Sequence, residues 1–478
     1  MHWKDNMAMA QYDVADPESI EMFARRLRGH TIREIISEVG PAAFVNVSGS
    51  KGGFGTALEE LYFRIHPGND DGVPDFKEAG MELKSCPTLL KNDRLVPKER
   101  LVLSLINYDK LAEEEWATST FLRKNGLLLL IFYLHEDGAA VVDLKVVLTG
   151  DWRFPAEDLL IIRSDWERIK AKVRAGKAHE LSEGDTLYLR ACTKDACSRA
   201  SRTQPASPIK AKQRAFSLRP SYVESVIERI LLREETEDLS DKVVKDPMDL
   251  AQRTFEQLVE ERFAPYLGKT MDEIATELEI PYVPAVKNYN ALVTKRILGV
   301  KDNIKEFDKA DIVVRSVLLG TNGGLKESVS FPTFDYHELA KEDDWEMSTI
   351  KEMFEHRFFF VIYQKRPDGL KELRKVVFWT MPYQDLLEVR RVWETATERI
   401  RQGKYDELPK IRDSPVAHIR PHGRNAQDRV IAPDGSMVIK RCFWLNASYV
   451  AQQVGAEPWS DHKQSKLPLM DSGSVTVR

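Results

Sequence analysis

Three residues in one short stretch have the types and the spacing needed to cut a phosphodiester bond. In "GVPDFKEAGMELKSCP", residues 72–87, Asp75 is followed seven positions later by Glu82, and Lys84 lies two positions beyond. Carboxylate oxygens are the ligands that Mg²⁺ prefers, so Asp75 and Glu82 are candidates to hold a metal against a scissile phosphate. Lys84 would then orient or deprotonate the attacking water, or balance the charge that grows in the transition state.

A β-strand would bring the acid and the amine together. Side chains alternate along a strand, so Glu82 and Lys84 would share one face while Met81 and Leu83 point into the core. An acidic residue upstream of E-x-K arises often in a chain with 30% charged residues. The motif therefore needs support from the elements around it.

A decoy with similar spacing lies in "VVDLKVV", where Asp143 precedes Lys145. We interpret it as an edge or hairpin strand with a salt-bridged face. The motif at Asp75 is favoured over it because that motif follows a glycine-rich stretch and a predicted helix at the right spacing.

The glycine-rich stretch is "SGSKGGFGTALEELY", residues 48–62. It is neither a P-loop, because Lys51 precedes the glycines, nor a dinucleotide fingerprint, because the glycines are wrongly spaced. The segment "TALEELYF" predicts a helix with Leu58, Leu61 and Tyr62 on its apolar side and Glu59 facing elsewhere. The turn either caps a core helix or places Lys51 and Glu59 beside a site for an anionic substrate.

Length and composition set the broad class. The 478 residues suffice for two ordinary domains, and the net charge of -5 points to no polyanionic partner by itself. The longest apolar run, residues 126–134, suits a buried strand and is too short to span a bilayer. No membrane span is expected, and the first residues lack the features of a signal peptide, so we expect a cytoplasmic protein.

Cysteine and histidine spacing does not predict a metal site. The four cysteines show neither a disulfide framework nor zinc-ligand spacing, and we expect them to be reduced. His418 and His422 are four apart, but no thiol or carboxylate cluster accompanies them.

One stripe of the chain is strongly basic. The segment "ACSRASRTQPASPIKAKQRAFSLRPSYV", residues 196–223, contains no acidic residue. It could neutralise DNA phosphates or form a solvated basic loop. Its basic residues are Arg199, Arg202, Lys210, Lys212, Arg214 and Arg219.

An internal repeat organises the chain. "DLLIIRSDWERIKAKVRAGKAHEL" at Asp158 recurs, with eleven identities, as "DLLEVRRVWETATERIRQGKYDEL" at Asp385, 227 positions later. The same offset carries "RAFSLRPSYV" at Arg214 onto "RCFWLNASYV" at Arg441. Each half is predicted to run helix, glycine turn, helix, several strands, a helix and more strands.

The repeat and the local composition suggest where domains begin and end. Residues 231–250 are highly charged and weakly apolar, as a linker or an exposed helix end should be. We predict a first domain over residues 1–232, a linker over 233–252, a second domain over 253–455 and a flexible tail over 456–478.

Four stretches, taken in order, resemble MutH and the GATC-cleaving type II restriction endonucleases related to it. They are "KGGFGTALEELYF", "PDFKEAGMELKS", "WATSTFLRKNGLLLLIFY" and "QRAFSLRPSYV". The resemblance covers about residues 20–230 and, more faintly, the repeat to about 450. It implies an α/β (α+β) protein with tandem PD-(D/E)xK folds, each with a mixed central sheet flanked by helices, the second a pseudo-nuclease.

The resemblance also implies roles for individual residues. The metal-binding carboxylates fall on Asp75 and Glu82, with Glu59 as a further acid on the helix, and the cofactor would be Mg²⁺. The E-x-K lysine falls on Lys84, and a second active-site lysine falls on Lys124 in "WATSTFLRK". DNA contacts are predicted for the glycine turn and the basic loops of the first half, at Lys51, Lys194, Arg199, Arg214 and Arg219.

Two base-reading positions depart from the pattern of MutH. Cys192 stands where MutH has an arginine, and Ser217 stands where it has a tyrosine. Individual base contacts are therefore not assigned from the resemblance.

The second half should not cut DNA. Aligning "KEFDKADIVVRSV" with the first motif puts Glu306 opposite Asp75 and Val313 opposite Glu82. A valine cannot bind Mg²⁺. Basic residues remain in the later loops, so this half either binds a further DNA site, through Arg420 and Arg441, or is a purely structural mimic of a dimer.

The sequence therefore predicts a Mg²⁺-dependent endonuclease that cleaves both strands of duplex GATC and leaves 5′-phosphate and 3′-hydroxyl ends. We expect two DNA sites per active complex and a monomer in solution, with dimerisation on DNA left open. The alternatives are a MutH-like repair nickase and a non-catalytic sequence-specific DNA-binding protein.

Overall fold

The structure is a computed structural model that describes residues 12–37, 53–65, 72–194, 201–232, 241–283, 286, 288–425 and 427–459. Its helices are α1 Pro17–Arg25, α2 Ile32–Ser37, α3 Gly53–Ala57, α4 Tyr108–Glu113, α5 Thr120–Asn125, α6 Ala156–Arg174, α7 Pro220–Leu231, α8 Phe255–Phe263, α9 Met271–Glu277, α10 Tyr289–Leu298, α11 Lys305–Ala310, α12 Tyr336–Lys341, α13 Thr349–Phe354, α14 Tyr383–Arg401 and α15 Ala447–Gln453.

The strands of the first half are β1 Glu82–Lys91, β2 Arg94–Pro97, β3 Leu101–Leu105, β4 Leu128–Leu134, β5 Val146–Trp152, β6 Leu189–Thr193, β7 Ser201–Gln204, β8 Ser207–Lys212 and β9 Arg214–Leu218. Those of the second half are β10 Ile312–Leu319, β11 Val329–Thr333, β12 Arg357–Lys365, β13 Lys371–Trp379, β14 Ala417–Pro421, β15 Arg429–Ile431, β16 Met437–Ile439 and β17 Arg441–Leu445.

The first half has a mixed sheet of order β2-β1-β4-β5, in which β1 and β4 are parallel and the outer pairs are antiparallel. An antiparallel sheet of order β3-β9-β6 and the hairpin β7-β8 complete it. These mixed sheets flanked by helices confirm the predicted α/β class.

The second half follows the same plan. β10 is parallel to β12, which is antiparallel to β13, and a second sheet has the order β11-β17-β14. The two long helices, α6 and α14, begin 227 residues apart and have equal lengths, and β9 and β17 show the same offset. The windows that recur in the sequence therefore form matching elements.

β4 separates two hydrophobic cores of the first half. As predicted, the apolar run forms a buried strand, and its side chains alternate between the cores. Leu128 and Phe132 belong to one core, and Leu129 and Ile131 belong to the other. β1, which carries the candidate acidic and lysine side chains, is thereby held beside the most deeply buried strand of its sheet.

The first of these cores continues into the second half. Trp166 and Tyr222 of the first half belong to the same cluster of buried side chains as Phe255, Phe307 and Phe359 of the second. The predicted linker shares this packing where it is described: Val243 and Val244 are buried, so this end of the segment is not an exposed connection. Residues 233–240 lie outside the described part, and the proposed domain boundaries remain predictions.

The predicted tail lies mostly outside the described residues, which end at 459. Its first residues contact the second half: the Gln364 amide donates to the Glu457 carbonyl at 2.9 Å, and the Trp459 amide donates to that of Thr321 at 2.7 Å. Among the described helices, none combines the length and the apolar character that crossing a membrane requires.

Candidate active site

Glu82 is the first residue of β1, and two lysines contact its carboxylate. Lys84 Nζ lies 2.5 Å from Glu82 Oε1, and Lys124 Nζ lies 3.4 Å from the same oxygen. Met81 and Leu83 are buried, so the alternation predicted from the sequence is confirmed. Glu82 is itself only 1% exposed, which makes this a partly desolvated ionic cluster in which charge interactions are stronger than in water.

A tight turn places Asp75 against the start of β1. Phe76 pairs with Met81 across the turn, and Gly80 adopts a φ of +63°, which favours glycine. The Leu83 amide donates to Asp75 Oδ2 at 2.9 Å, and the Asp75 amide donates to Glu82 Oε2 at 3.2 Å. Backbone hydrogen bonds therefore fix the positions of both carboxylates.

Lys124 reaches the cluster from α5, a short helix preceding β4. The Ser119 hydroxyl accepts the Leu122 amide at 3.2 Å and caps the helix, while Phe121 is buried in the core. The side chain of Lys124 is 19% exposed, which leaves the amine open to a ligand. The structure thus brings together both predicted active-site lysines.

Glu59 lies on a short π-helix, Leu58–Phe63, that directly continues α3. The predicted helix is confirmed, and Leu58 and Tyr62 are buried on its apolar side, while Leu61 is half-buried. Burial, reinforced by the negative charge of Asp75 and opposed by Lys84, raises the pKa of Glu59 to about 7. Its carboxylate is therefore close enough to sense the other two acids.

The three acids concentrate negative charge in a half-buried site. Burial also raises the pKa of Glu82, which Lys84 opposes and the Asp75 charge reinforces. A hard divalent cation with oxygen ligands would relieve this repulsion, so Asp75 and Glu82, flanked by Glu59, fit Mg²⁺. Within the described part of the chain, no three Asp, Glu, His or Cys side chains already converge as a complete metal site.

The decoy pair is placed elsewhere. Asp143 ends a 3₁₀ turn, Val141–Asp143, and does not lie in a strand. Its carboxylate forms the salt bridge that we predicted, with Arg33 Nε at 2.5 Å. The interpretation as a salt-bridged face is confirmed for Asp143. The interpretation as an edge or hairpin strand holds only for the later residues, since Lys145 bridges to Thr31 and Val146 begins β5, which is an edge strand of the sheet.

The predicted DNA contacts of the first half have different outcomes. Lys51 and Arg199 lie outside the described residues. Lys194 is exposed immediately after β6. Arg214 and Arg219 are 4% and 5% exposed, which contradicts their prediction as surface DNA contacts.

The burial of these two arginines has a structural reason. Arg214 Nη1 donates to the Ala191 carbonyl of the neighbouring strand at 2.6 Å. Arg219 Nη1 lies 2.6 Å from Asp311 Oδ2 in the second half. Both guanidinium groups therefore have partners within the protein. The sequence alone did not distinguish them from the solvated arginines of the basic stripe.

In the second half, Arg420 and Arg441 also differ. Arg420 is exposed, and its guanidinium stacks 3.7 Å from the centre of the Trp444 ring. Arg441 is 14% exposed in its side chain and pairs with Asp406 at 3.1 Å. Arg420 is therefore available to a phosphate or a base, whereas Arg441 is already engaged.

Strand pairing identifies the residues of the second half that match the candidate site. Glu82 and Trp152 pair with the same residue of β4, and Val313 and Trp379 pair with the same residue of β12. Trp152 and Trp379 are 227 positions apart, which is the offset of the repeat. Val313 therefore occupies the position of Glu82, and Arg315, two residues on, occupies that of the E-x-K lysine.

Sequence reasoning missed the polar contacts between the halves. Arg190 is fully buried, and its Nη2 donates to the Ala310 carbonyl at 2.5 Å. Glu256 on α8 pairs with Arg168 on α6 at 2.6 Å.

Three comparisons with known proteins bear on this site. Residues 63–165 match the family described as DNA mismatch repair enzyme MutH. The chain is 33% identical over 464 residues to the type II restriction enzyme Sau3AI of Staphylococcus aureus, an alignment that covers 86% of this chain and 93% of that enzyme. It is 26% identical over 208 residues to the DNA mismatch repair protein MutH of Vibrio campbellii, covering 43% of this chain and 89% of that protein.

Proposed function

Because this chain belongs to the MutH-related type II restriction endonucleases, we propose that it recognises duplex GATC and cleaves both strands in a Mg²⁺-dependent reaction. That membership makes it a site-specific deoxyribonuclease that acts on double-stranded DNA. The proposed target, metal and ends, 5′-phosphate and 3′-hydroxyl, rest on the motifs that the chain shares with the family.

The observation that carries the proposal is the contact of two lysines with one buried carboxylate at Glu82, beside Asp75. We assign Asp75 and Glu82 to hold the cation, with Glu59 beside them. When bound, Mg²⁺ would polarise the phosphate and lower the pKa of a water ligand. Lys84 would hold or accept a proton at the attacking water, and Lys124 would balance charge on the phosphate oxygens.

We further propose that the first half, residues 1–232, cuts DNA and that the second, residues 253–455, does not. Val313 replaces the ligand at the position of Glu82, and Met353 matches Lys124 when the serines that cap α5 and α13, 229 positions apart, are aligned. The exposed Arg420 and the stacked Trp444 support a DNA contact by the second half. Binding of a second site there would stimulate the first half, with two sites in the active complex.

Incubation with plasmids tests the proposal. One unmethylated plasmid carries several GATC sites and a matched plasmid carries none, each with Mg²⁺ or with a chelator, and the ends are sequenced. We expect double-strand cuts at GATC in the first plasmid alone, abolished by the chelator. Cuts at another sequence would overturn the proposed target, and cutting in the chelator would overturn the metal.

The match to MutH over residues 63–165 favours one rival, a repair nickase. Such an enzyme would cut one strand and depend on a protein activator. Nicks alone in the plasmid assay would support it over double-strand cleavage. DNA that is bound but stays intact in Mg²⁺ would instead favour a non-catalytic DNA-binding protein.

A further inference from the structure

One carboxylate of the second half contacts two strands of the first. Glu346 lies in the 3₁₀ turn Trp345–Met347, and its side chain is 10% exposed. Its Oε1 is 2.6 Å from Lys212 Nζ, and its Oε2 accepts the Thr193 hydroxyl at 3.2 Å. A single side chain therefore ties β6 and β8 to the second half.

The two contacted residues lie at the base of a basic hairpin, which we define as residues 201–212, formed by β7 and β8. Lys212 is the last residue of β8 and pairs with Ser201 at the start of β7. Thr193 is the last residue of β6 and directly precedes the exposed Lys194. Glu346 thus holds the hairpin where it joins the sheet, next to the predicted DNA contact.

The charges around Glu346 make this contact strong at neutral pH. Burial opposes ionisation, but the nearby charges of Lys351, Lys212 and Arg214 hold the pKa of Glu346 down, at about 2. Lys351 is itself buried and also pairs with Glu355 at 2.5 Å. The result is a row of alternating charges that runs from the hairpin into α13.

The repeat shows that these charges are particular to the second half. Two helix caps align the copies. Ser119 caps α5 and Ser348 caps α13, 229 positions apart, and each side chain accepts the backbone amide three residues further on. At that offset Glu346 matches Ala117, and Lys351 matches Leu122. In the first half, α5 carries Lys124, the predicted second active-site lysine. In the second half, the matching helix α13 carries Lys351, which pairs with Glu346 in the turn before it.

We propose that Glu346 is a positioning residue through which the second half sets the place of the basic hairpin and thereby the sequence discrimination of the first half. The inference rests on the proposed function, because it requires the hairpin of the cutting half to face DNA. Glu346 itself would not touch the DNA or the metal. Its effect would pass through Lys212 and Thr193 to the loops that read the bases.

The test uses the full-length protein with Mg²⁺ and three variants. Glu346→Ala removes both contacts, and Glu346→Gln retains a hydrogen bond to Thr193 but loses the charge facing Lys212. The matched control is Glu352→Gln, since Glu352 also lies in the second half and reaches Arg100 of the first at 3.5 Å, and neither residue lies in β6 or the hairpin. For each protein, kcat and KM are measured on a GATC duplex and on duplexes with one base pair changed.

We expect Glu346→Ala to lower the ratio of kcat/KM for the cognate duplex to that for the altered duplexes roughly tenfold, the size of one lost base contact. Glu346→Gln should lie between the wild type and Glu346→Ala, and Glu352→Gln should match the wild type. Unchanged discrimination in folded Glu346→Ala would overturn the inference, as would an equal loss of kcat on every duplex.

Hydrogen exchange separates this inference from the proposed function. We expect the backbone amides of residues 201–212 to exchange faster in Glu346→Ala than in the wild type, with no change at β1. Unchanged exchange in the hairpin would overturn the inference even if the enzyme cuts DNA. A wild type that leaves every duplex intact in Mg²⁺ would overturn the proposed function, while faster exchange would still locate the contact.

Discussion

The acidic turn of the first half, residues 75–81, and its counterpart in the second half, residues 306–312, most of which belongs to α11, share two local features and have different partners. In each, the phenylalanine directly after the acid is buried, and the fifth residue after the acid, Gly80 or Asp311, has a positive φ. Asp75 accepts the backbone amide of Leu83 in β1, the strand that follows the turn. Glu306 instead accepts the amides of Val243 and Val244 at 3.1 and 2.9 Å.

The difference teaches that this turn has two separable uses. In the first half it holds a carboxylate beside Glu82 and the lysines. In the second half the matching segment forms salt bridges with the first half: Lys309 pairs with Asp158 at 2.9 Å, and Asp311 pairs with Arg219. With Val313 at the position of Glu82, the acidic residues nearby serve in the contact between the halves.

The largest effect that would test this contrast is loss of cutting by the first half. We expect Glu82→Gln or Lys84→Ala to reduce kcat by about a thousandfold or more, because each removes a group placed at the reacting phosphate. Single-turnover cleavage of a GATC duplex gives the measurement, with far-UV circular dichroism to show that the fold is retained.

The matched control for these two changes is Asp143→Ala. Its carboxylate is exposed and pairs with Arg33, away from the site. Cutting by this variant should equal that of the wild type. An equal loss from Asp143→Ala would show that the motif at Asp75 was wrongly chosen.

The second effect concerns stability rather than cutting. Arg219→Ala would remove a buried guanidinium from Asp311, whose side chain is 41% exposed and keeps His356 as a partner, so we expect unfolding in urea to require about 2 kcal/mol less. The exposed pair provides the control, since Arg33→Ala should change the free energy of unfolding by only about 0.5 kcal/mol. Equal losses from the two variants would mean that the turn does not join the halves.

A smaller effect is expected at the DNA face of the second half. Arg420→Ala should reduce the stimulation of cutting by a second GATC site about tenfold, the size of one lost charged contact to DNA. Cleavage of plasmids with one and two sites measures it. Arg412→Ala is the control, because Arg412 is 79% exposed in the same half and lies outside the predicted contacts. Unchanged stimulation in Arg420→Ala would favour a purely structural second half.

The smallest effect is the one expected from restoring the motif. The double change Val313→Glu and Arg315→Lys should give no detectable cutting when Glu82→Gln silences the first half. Glu306 is held by two backbone amides, and Met353 stands where the repeat would place the second lysine. Recovered cleavage in this triple variant would show that the second copy is closer to a working nuclease than its contacts indicate.

The sequence predicted most of the candidate site because its residues are close together and lie on one strand. Alternation placed Glu82 and Lys84 on one face, and the apolar run predicted the buried neighbour β4. The roles of Arg214 and Arg219 could not be predicted in the same way, because their partners lie outside the basic stripe. Arg214 donates to a backbone carbonyl of β6, and the partner of Arg219 comes from the other half. Asp311, the partner of Arg219, is 92 residues away in the chain.

The core shared by the two halves has a consequence for the history of this chain. A newly duplicated gene segment can at first be deleted without harm to the original copy. Here Arg190 and the aromatic side chains of the first half close against the second, so removing the second copy would expose them to water. The two copies therefore share one core, and a deletion of the second copy would also destabilise the first.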